Sequence, residues 1–251
     1  MSDTAKDGPN DQYLYGIVFA DTSLPASLEG VQGQPVRLLE CERVAAVISE
    51  TLPAEALGTP DDLLAHTRLL DTLAAEGPVL PLAFGTVVPG GDAVEAEVLQ
   101  PREDEYYSGL QQVSGHTQYT VTVTFDRDVV MREIVDEVPE AAELRAAIAG
   151  TSEDETRPQR IQLGELMVNA FDERKPAAAE PVLDRIEEVA AETAVHDQRQ
   201  PEDVAEVAVL VANEASEAFE QQIEELARRS HPRLRFRLVG PQAPYDFVPE
   251  V

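Results

Sequence analysis

The chain of 251 residues has no tryptophan, three methionines and a single cysteine, Cys41. One cysteine excludes an intrachain disulfide and a C-x-x-C redox or zinc motif, and it suits a reducing compartment. Lysine is nearly absent: Lys6 and Lys175 stand against seventeen arginines. Cations of any kind are outnumbered, with 19 Lys plus Arg against 48 Asp plus Glu, a net charge of -29. Such a surface repels nucleic-acid phosphates and anionic lipid headgroups, so neither is expected as a partner. Acid excess with few lysines suits a salt-adapted cytosol, and an arginine-favouring codon bias would produce the same lysine shortage. No run of about 18 apolar residues occurs, so no membrane-spanning helix is expected. The opening "MSDTAKDGPNDQ" is polar, without the apolar centre of a signal peptide.

Catalytic patterns are missing as well. There is no G-x-x-x-x-G-K-[ST], and Gly90-Gly91 lacks the lysine and helix that a phosphate loop needs. H-E-x-x-H and G-x-S-x-G do not occur. His66, His116, His196 and His231 are scattered without paired spacing, whereas a metal site needs several convergent ligands. Carboxylate pairs such as Asp61/Asp62 and Glu224/Glu225 read as solvated helix faces. No residue set points to an enzyme, a cofactor or a metal.

What is present is 43% apolar residues, enough for a core, in segments of readable period. Residues 1–11 read as a disordered arm. "YLYGIVFA" (Tyr13–Ala20) reads as a buried strand, and "PVRLLECERVAAVISE" as a hairpin. The stretch "GTPDDLLAHTRLLDTLAAEGP" carries helix start and stop signals: Thr59 as N-cap, Pro60 at the first position, two aspartates, and Gly77-Pro78 at the end. Its apolar face is expected at Leu63, Thr67, Leu70 and Ala74. "VLPLAFGTVV" reads as one strand with Pro81 inside it, hence an edge or a bulge. A helix from about Ala93, capped by Asp92 and Glu95 and disturbed at Pro101, is expected to end near Gly115.

In the second half, "QYTVTVTFD" alternates strictly, as a half-buried strand does. A helical stretch broken at Pro139 follows, then a charged loop and the amphipathic "IQLGELMVNAFDER" with Leu163, Met167, Ala170 and Phe171 on one side. Pro176 and Pro181 leave open whether Val182–Ala190 continues that helix. "ETAVHD" and "DVAEVAVLVA" read as strands, and Asn213 as the cap of a helix faced by Ala215, Phe219, Ile223 and Leu226. The chain closes with "RLRFRLVGPQAPYDFVPEV". There Leu234, Phe236 and Leu238 alternate with Arg233, Arg235 and Arg237, giving a strand with one cationic face. Gly240 and Pro241 are expected to stop it. Pro244, Tyr245, Phe247 and Val248 then give the tail more apolar area than a disordered tail carries.

The order β–α–ββ–α–β over residues 117–239 is that of a ferredoxin-like split βαβ unit. Helices would cover one face of its sheet. Thr120, Thr122, Thr124, Glu206 and the arginine row would lie on the open one, pairing with acids of the first half or with a partner. The expected fold is α+β in two domains: an N-terminal α+β domain over 12–115, a ferredoxin-like domain over 116–239, and a tail over 240–251 packed on the body.

Three blocks of this sequence resemble the GvpF/GvpL family of gas vesicle proteins. The tail "LRFRLVGPQAPYDFV" is similar to the family's closing signature through Gly240, Pro241, Pro244, Tyr245, Phe247 and Val248. Gln242 and Ala243 stand where many members have Trp and Pro. "LLAHTRLLDTLAAEGPVLPLAFGTVV" resembles a second block through His66, Pro81, Phe84, Gly85 and Thr86, with Ala83 in place of a basic residue. "YLYGIV" resembles the opening strand. The blocks fall in family order and span 13–248.

The resemblance implies an accessory, non-enzymatic protein of gas vesicle formation, in gas vesicle and cytoplasm. Its implied partners are the small, very hydrophobic shell protein and other gas vesicle accessory proteins. It also implies two α+β domains, the second ferredoxin-like. An alternative from another class is a small-molecule-sensing regulatory module, since ferredoxin-like domains bind metabolites in other proteins. The signature residues would either fix turns and dock the tail or touch the client directly.

Overall fold

A computed structural model describes residues 11–50, 58–90 and 92–249. The arm expected over 1–11 lies outside these, apart from Asp11. The structure mixes helices with two antiparallel sheets, and the described residues form two compact units. One comprises the chain up to Tyr119 together with Leu210–Asn213 and the segment from Gly240 onward; the other comprises Thr120–Val209 and Glu214–Val239.

The first sheet is built around β1 (Gln12–Phe19), whose residues from Gln12 to Val18 are all buried. The hairpin β2 (Val36–Cys41) and β3 (Val44–Glu50) forms as expected, with Cys41 opposite Val44. Strand β3 pairs antiparallel with β1, with an irregularity between Leu14 and Gly16. The other side of β1 takes β4 (Leu80–Pro81) and β5 (Val87–Val88). The expected single strand through Pro81 is thus two short pieces. Between them Gly85 has a φ of 85°, a left-handed conformation that breaks an extended run and that glycine adopts at little cost.

Helix α1 (Pro60–Glu76) begins as its sequence dictates. The Thr59 hydroxyl accepts the Asp62 N–H at 3.2 Å, and the Asp62 carboxylate accepts the Thr59 N–H at 3.0 Å. A capping box of this kind supplies about 1 kcal/mol to a helix start. Its buried face differs from the expected one by a rotation: Asp62, His66, Leu69, Leu70 and Leu73 are buried, while Leu63 is 50% exposed. Both stripes satisfy a 3.6-residue period, so periodicity alone does not choose between them.

The helix expected from Ala93 is irregular. A wide turn over Val94–Leu99 gives way to a tight one over Gln100–Arg102, then to α2 (Glu103–Val113). Pro101 has no N–H to donate, so the regular ladder restarts beyond it.

Strand β6 (His116–Phe125) alternates in burial as in sequence: Tyr119, Val121, Val123 and Phe125 are buried, while Thr120, Thr122 and Thr124 are partly exposed. Helices α3 (Arg127–Glu137), α4 (Pro139–Ile148), α5 (Arg157–Asp172) and α6 (Lys175–Glu187) follow. Pro139 opens α4, and Pro181 lies inside α6, so Val182 continues a helix begun at Lys175. Next come β7 (Glu192–His196), β8 (Asp203–Ala212), α7 (Ser216–Ser230) and β9 (Leu234–Gln242). The sheet order is β7-β8-β6-β9.

Two details depart from expectation. Asn213 does not cap α7: Asn213–Ala215 form a tight turn, and no side chain caps the helix that begins at Ser216. Gly240 and Pro241 do not stop β9, which runs on to Gln242.

Candidate functional site

Two groups of sequence-singled residues take shape, one in each unit. The first surrounds His66, which α1 places inside the core with 1% exposure. Its Nε2–H donates to the Leu82 carbonyl at 3.2 Å. Its Nδ1 is therefore the bare nitrogen and accepts the Tyr13 hydroxyl at 3.0 Å. The Tyr13 oxygen in turn accepts the Gly85 N–H at 2.9 Å. Each polar atom of this His66–Tyr13–Gly85 relay has a partner, which the buried imidazole requires. The imidazole stacks on Tyr15 at 5.6 Å and meets Phe84 edge-on at 5.6 Å. Burial pulls the His66 pKa below the ordinary histidine value. Burial likewise pushes the Tyr13 phenol up to about 12. This is a neutral, fully bonded histidine without a free nitrogen, a joint and not a general base.

Pro81 is buried on β4, and the residue after it donates its N–H to the Tyr15 carbonyl at 2.9 Å. The tail residues reach the same core. Ala243 is fully buried among Tyr13, Tyr15, Leu69, Leu70 and Leu73, and Tyr245 and Phe84 pack on that cluster. The Ala243 N–H donates to Asp71 Oδ1 on α1 at 2.9 Å. Tyr245 bonds Thr67 of the same helix, and burial raises its phenol to about 12. Pro244 is buried, and Phe247 is 5% exposed within a short helical turn, Tyr245–Phe247. The turn is held by Gln118, whose Nε2 donates to Asp246 and whose Oε1 accepts the Asp246 N–H at 3.0 Å.

Gly240 has a φ of 142°, and a Cβ there would sit 2.6 Å from Tyr119 Cδ1 and 2.9 Å from the Gln118 carbonyl. Only glycine fits without displacing backbone. Pro241, next to it, is exposed.

The second group is the arginine row, and it divides. Arg233 precedes β9 and turns to α3, where its Nε donates to Glu133 at 2.9 Å over the Phe125 ring. Arg235, on β9, binds Asp126 at 2.5 Å and is 71% exposed in its side chain. Arg237 is exposed. The row is therefore divided, with Arg233 and Arg235 held by Glu133 and Asp126 of their own unit. Glu206 of β8 meets His196 at 3.2 Å and Arg199 at 3.4 Å.

Sequence reasoning missed Tyr13, Asp71, Gln118 and Asp246 as partners. Tyr13 lies in an apolar run, and the two tyrosine hydroxyls of β1, on Tyr13 and Tyr15, are the available signal. Cys41 is buried, and burial pushes its thiol pKa up, away from a reactive thiolate. Among the described residues no group of His, Cys, Asp and Glu could hold a metal ion, and no helix is long and apolar enough to cross a membrane.

Two mixed sheet-and-helix units, one closed by its own C-terminal segment, define a class of mixed helix-and-sheet proteins with two antiparallel sheets. The comparisons make that class particular. The family model for gas vesicle synthesis protein GvpL/GvpF matches residues 12–249, and the chain belongs to this family. It is 33% identical to gas vesicle protein F of a Streptomyces species, over 94% of this chain and 98% of that protein. It is 26% identical to gas vesicle protein L1 of Halobacterium salinarum, over 96% of this chain and 92% of that one. The crystal structure of GvpF from an Anabaena species superposes with a TM-score of 0.80 at 25% identity, covering 96% of this chain and 99% of that one.

Proposed function

We propose that this protein is an accessory factor of gas vesicle formation that binds the hydrophobic shell protein, keeping it soluble before assembly or seeding the shell. The family match from residue 12 to 249 carries the gas vesicle part of this reading. Its site of action would be the gas vesicle and the surrounding cytoplasm, alongside other gas vesicle accessory proteins.

Physical features support the carrier role. A hydrophobic client with exposed strand edges aggregates unless those edges are covered. The net charge of -29 keeps a carrier soluble while it does so. Strand addition needs an edge, and β9 stands at the end of the order β7-β8-β6-β9 with nine residues. Along it Arg235, Arg237 and Val239 are exposed. The alternative edge at Leu80–Val88 is weaker, since β4 and β5 are two residues each. On this reading the second unit is a ferredoxin-like domain, which the strand order β7-β8-β6-β9 supports, although four helices stand between β6 and β7. His66, Pro81, Phe84, Gly85, Gly240, Pro244, Tyr245 and Phe247 then act as framework, and the client meets the arginine edge.

The test is co-expression with the shell protein. Rescue of the latter into the soluble fraction, with co-purification, supports the carrier role, and loss of both in Arg235→Glu assigns it to β9. Unchanged aggregation with nothing co-purified rejects a direct carrier.

A further inference from the structure

The second unit holds a cavity of about 590 Å³, a volume in the range of small-molecule sites. Three helices and one loop build it. Helix α3 contributes Arg127 and Met131, one turn apart, and α5 contributes Val168, Phe171 and Asp172 on one face. Lys175 opens α6 beside them, and the β7–β8 loop adds Gln198, Arg199 and Glu202. Met131, Val168 and Phe171 give an apolar side. Val168 is 57% exposed there.

The polar side is unusual for this chain. Lysine occurs at two positions in 251 residues, and one of them, Lys175, is 8% exposed at this cavity. Its ammonium donates to Asp172 at 2.9 Å and to Gln198 at 3.3 Å, and lies 6.0 Å from the Phe171 ring. An ammonium carries three N–H donors, so one remains without a partner among the described residues. Arg127 pairs with Glu202 at 3.2 Å, and Arg199, 72% exposed in its side chain, reaches Glu206 at 3.4 Å. On the cavity wall itself three cations thus face two carboxylates, with Glu206 outside the wall holding Arg199 only as an exposed surface pair.

We propose that this cavity binds an organic carboxylate with an apolar body: the carboxylate meets Lys175 and Arg199, and the body lies on Met131, Val168 and Phe171. A nucleotide or a bare phosphate fits less well, because the two resident carboxylates oppose multiple negative charges. This inference stands apart from the shell-protein reading and holds or fails without it.

Isothermal titration calorimetry of the full chain with octanoate tests it, with octanol and acetate as the neutral and bodiless controls. Octanoate is expected to bind saturably at one site, with octanol and acetate each weaker by about tenfold or more, a charged hydrogen bond accounting for the first loss and apolar burial for the second. Arg199→Gln, at an exposed position, should weaken octanoate by about fivefold to tenfold, and Val168→Glu should abolish binding. Both positions are exposed enough that the variants should fold, which circular dichroism verifies. Absence of saturable octanoate binding overturns the proposal. So does octanol binding as tightly as octanoate, or octanoate binding untouched by both variants.

Discussion

The Tyr13 hydroxyl donates to Nδ1 of His66 at 3.0 Å and accepts the Gly85 N–H at 2.9 Å, so one phenol oxygen ties β1 to α1 and to the loop before β5. Removing that oxygen leaves the buried His66 ring nitrogen unpaired, while the N–H of the exposed Gly85 turns to water. Tyr13→Phe should therefore cost roughly 1–3 kcal/mol, the usual cost of one buried group left unsatisfied. Urea denaturation measures the loss, and a change below about 0.5 kcal/mol would mean that water replaces the hydroxyl.

His66 sets an acid limit. Its folded pKa lies below the ordinary value of 6.5 because burial disfavours the imidazolium. The unfolded chain then binds a proton that the folded chain refuses, so this contribution to stability is intact above pH 6.5 and falls as pH drops below it. The effect is isolated by comparing denaturation of the wild type and His66→Gln from pH 7.5 down to 5, a range that spans the ordinary histidine value. The wild type should lose stability with the steeper slope; parallel slopes would show that His66 protonates freely in the fold.

Tyr13 and Tyr245 set the matching alkaline limit. Both phenols are raised to about 12, so the folded chain keeps protons that an unfolded one releases near 10. Stability should hold up to pH 10 and decline between 10 and 12. Absorbance at the tyrosinate band should show these phenols ionising only with unfolding.

Gly240 and Gly85 both have positive φ but differ in surroundings. At Gly85 an added Cβ meets nothing within 4 Å, whereas at Gly240 it would meet Tyr119 at 2.6 Å. Gly85→Ala should cost about 1–2 kcal/mol, the left-handed backbone penalty alone. Gly240→Ala adds the clash and should exceed it by roughly 1–3 kcal/mol, the usual cost of overpacking. Equal losses would mean that the Tyr119 ring moves aside freely.

The net charge of -29 opposes compaction. Raising sodium chloride from about 10 mM to about 500 mM shortens the screening length from about 30 Å to about 4 Å and should raise the melting temperature. A melting temperature that falls with salt would mean that ion pairs such as Arg43–Glu103, at 2.6 Å, outweigh the repulsion.

Much of this protein was legible from local pattern. Thr59-Pro60-Asp61-Asp62 specify a helix start because a capping box lies within four residues. The alternation from Tyr119 to Phe125 specifies a half-buried strand, and the spaced blocks carrying His66, Gly85 and Gly240 specify the family. Other features depend on groups far apart in sequence. Whether α1 buries Leu63 or Leu69 was settled by what packs on it, since two apolar stripes fit one period. The Pro81 run broke because both of its ends bind β1 while Gly85 turns between them.

The arginine row divided because Glu133 lies 100 residues from Arg233 in sequence and beside it in space. Composition and local period thus determine which segments are helix, strand or turn, because those choices are made over a few residues. Only the tertiary structure decided that the tail closes over the His66 core, because the partners that hold it, Asp71 and Gln118, are brought there by the fold.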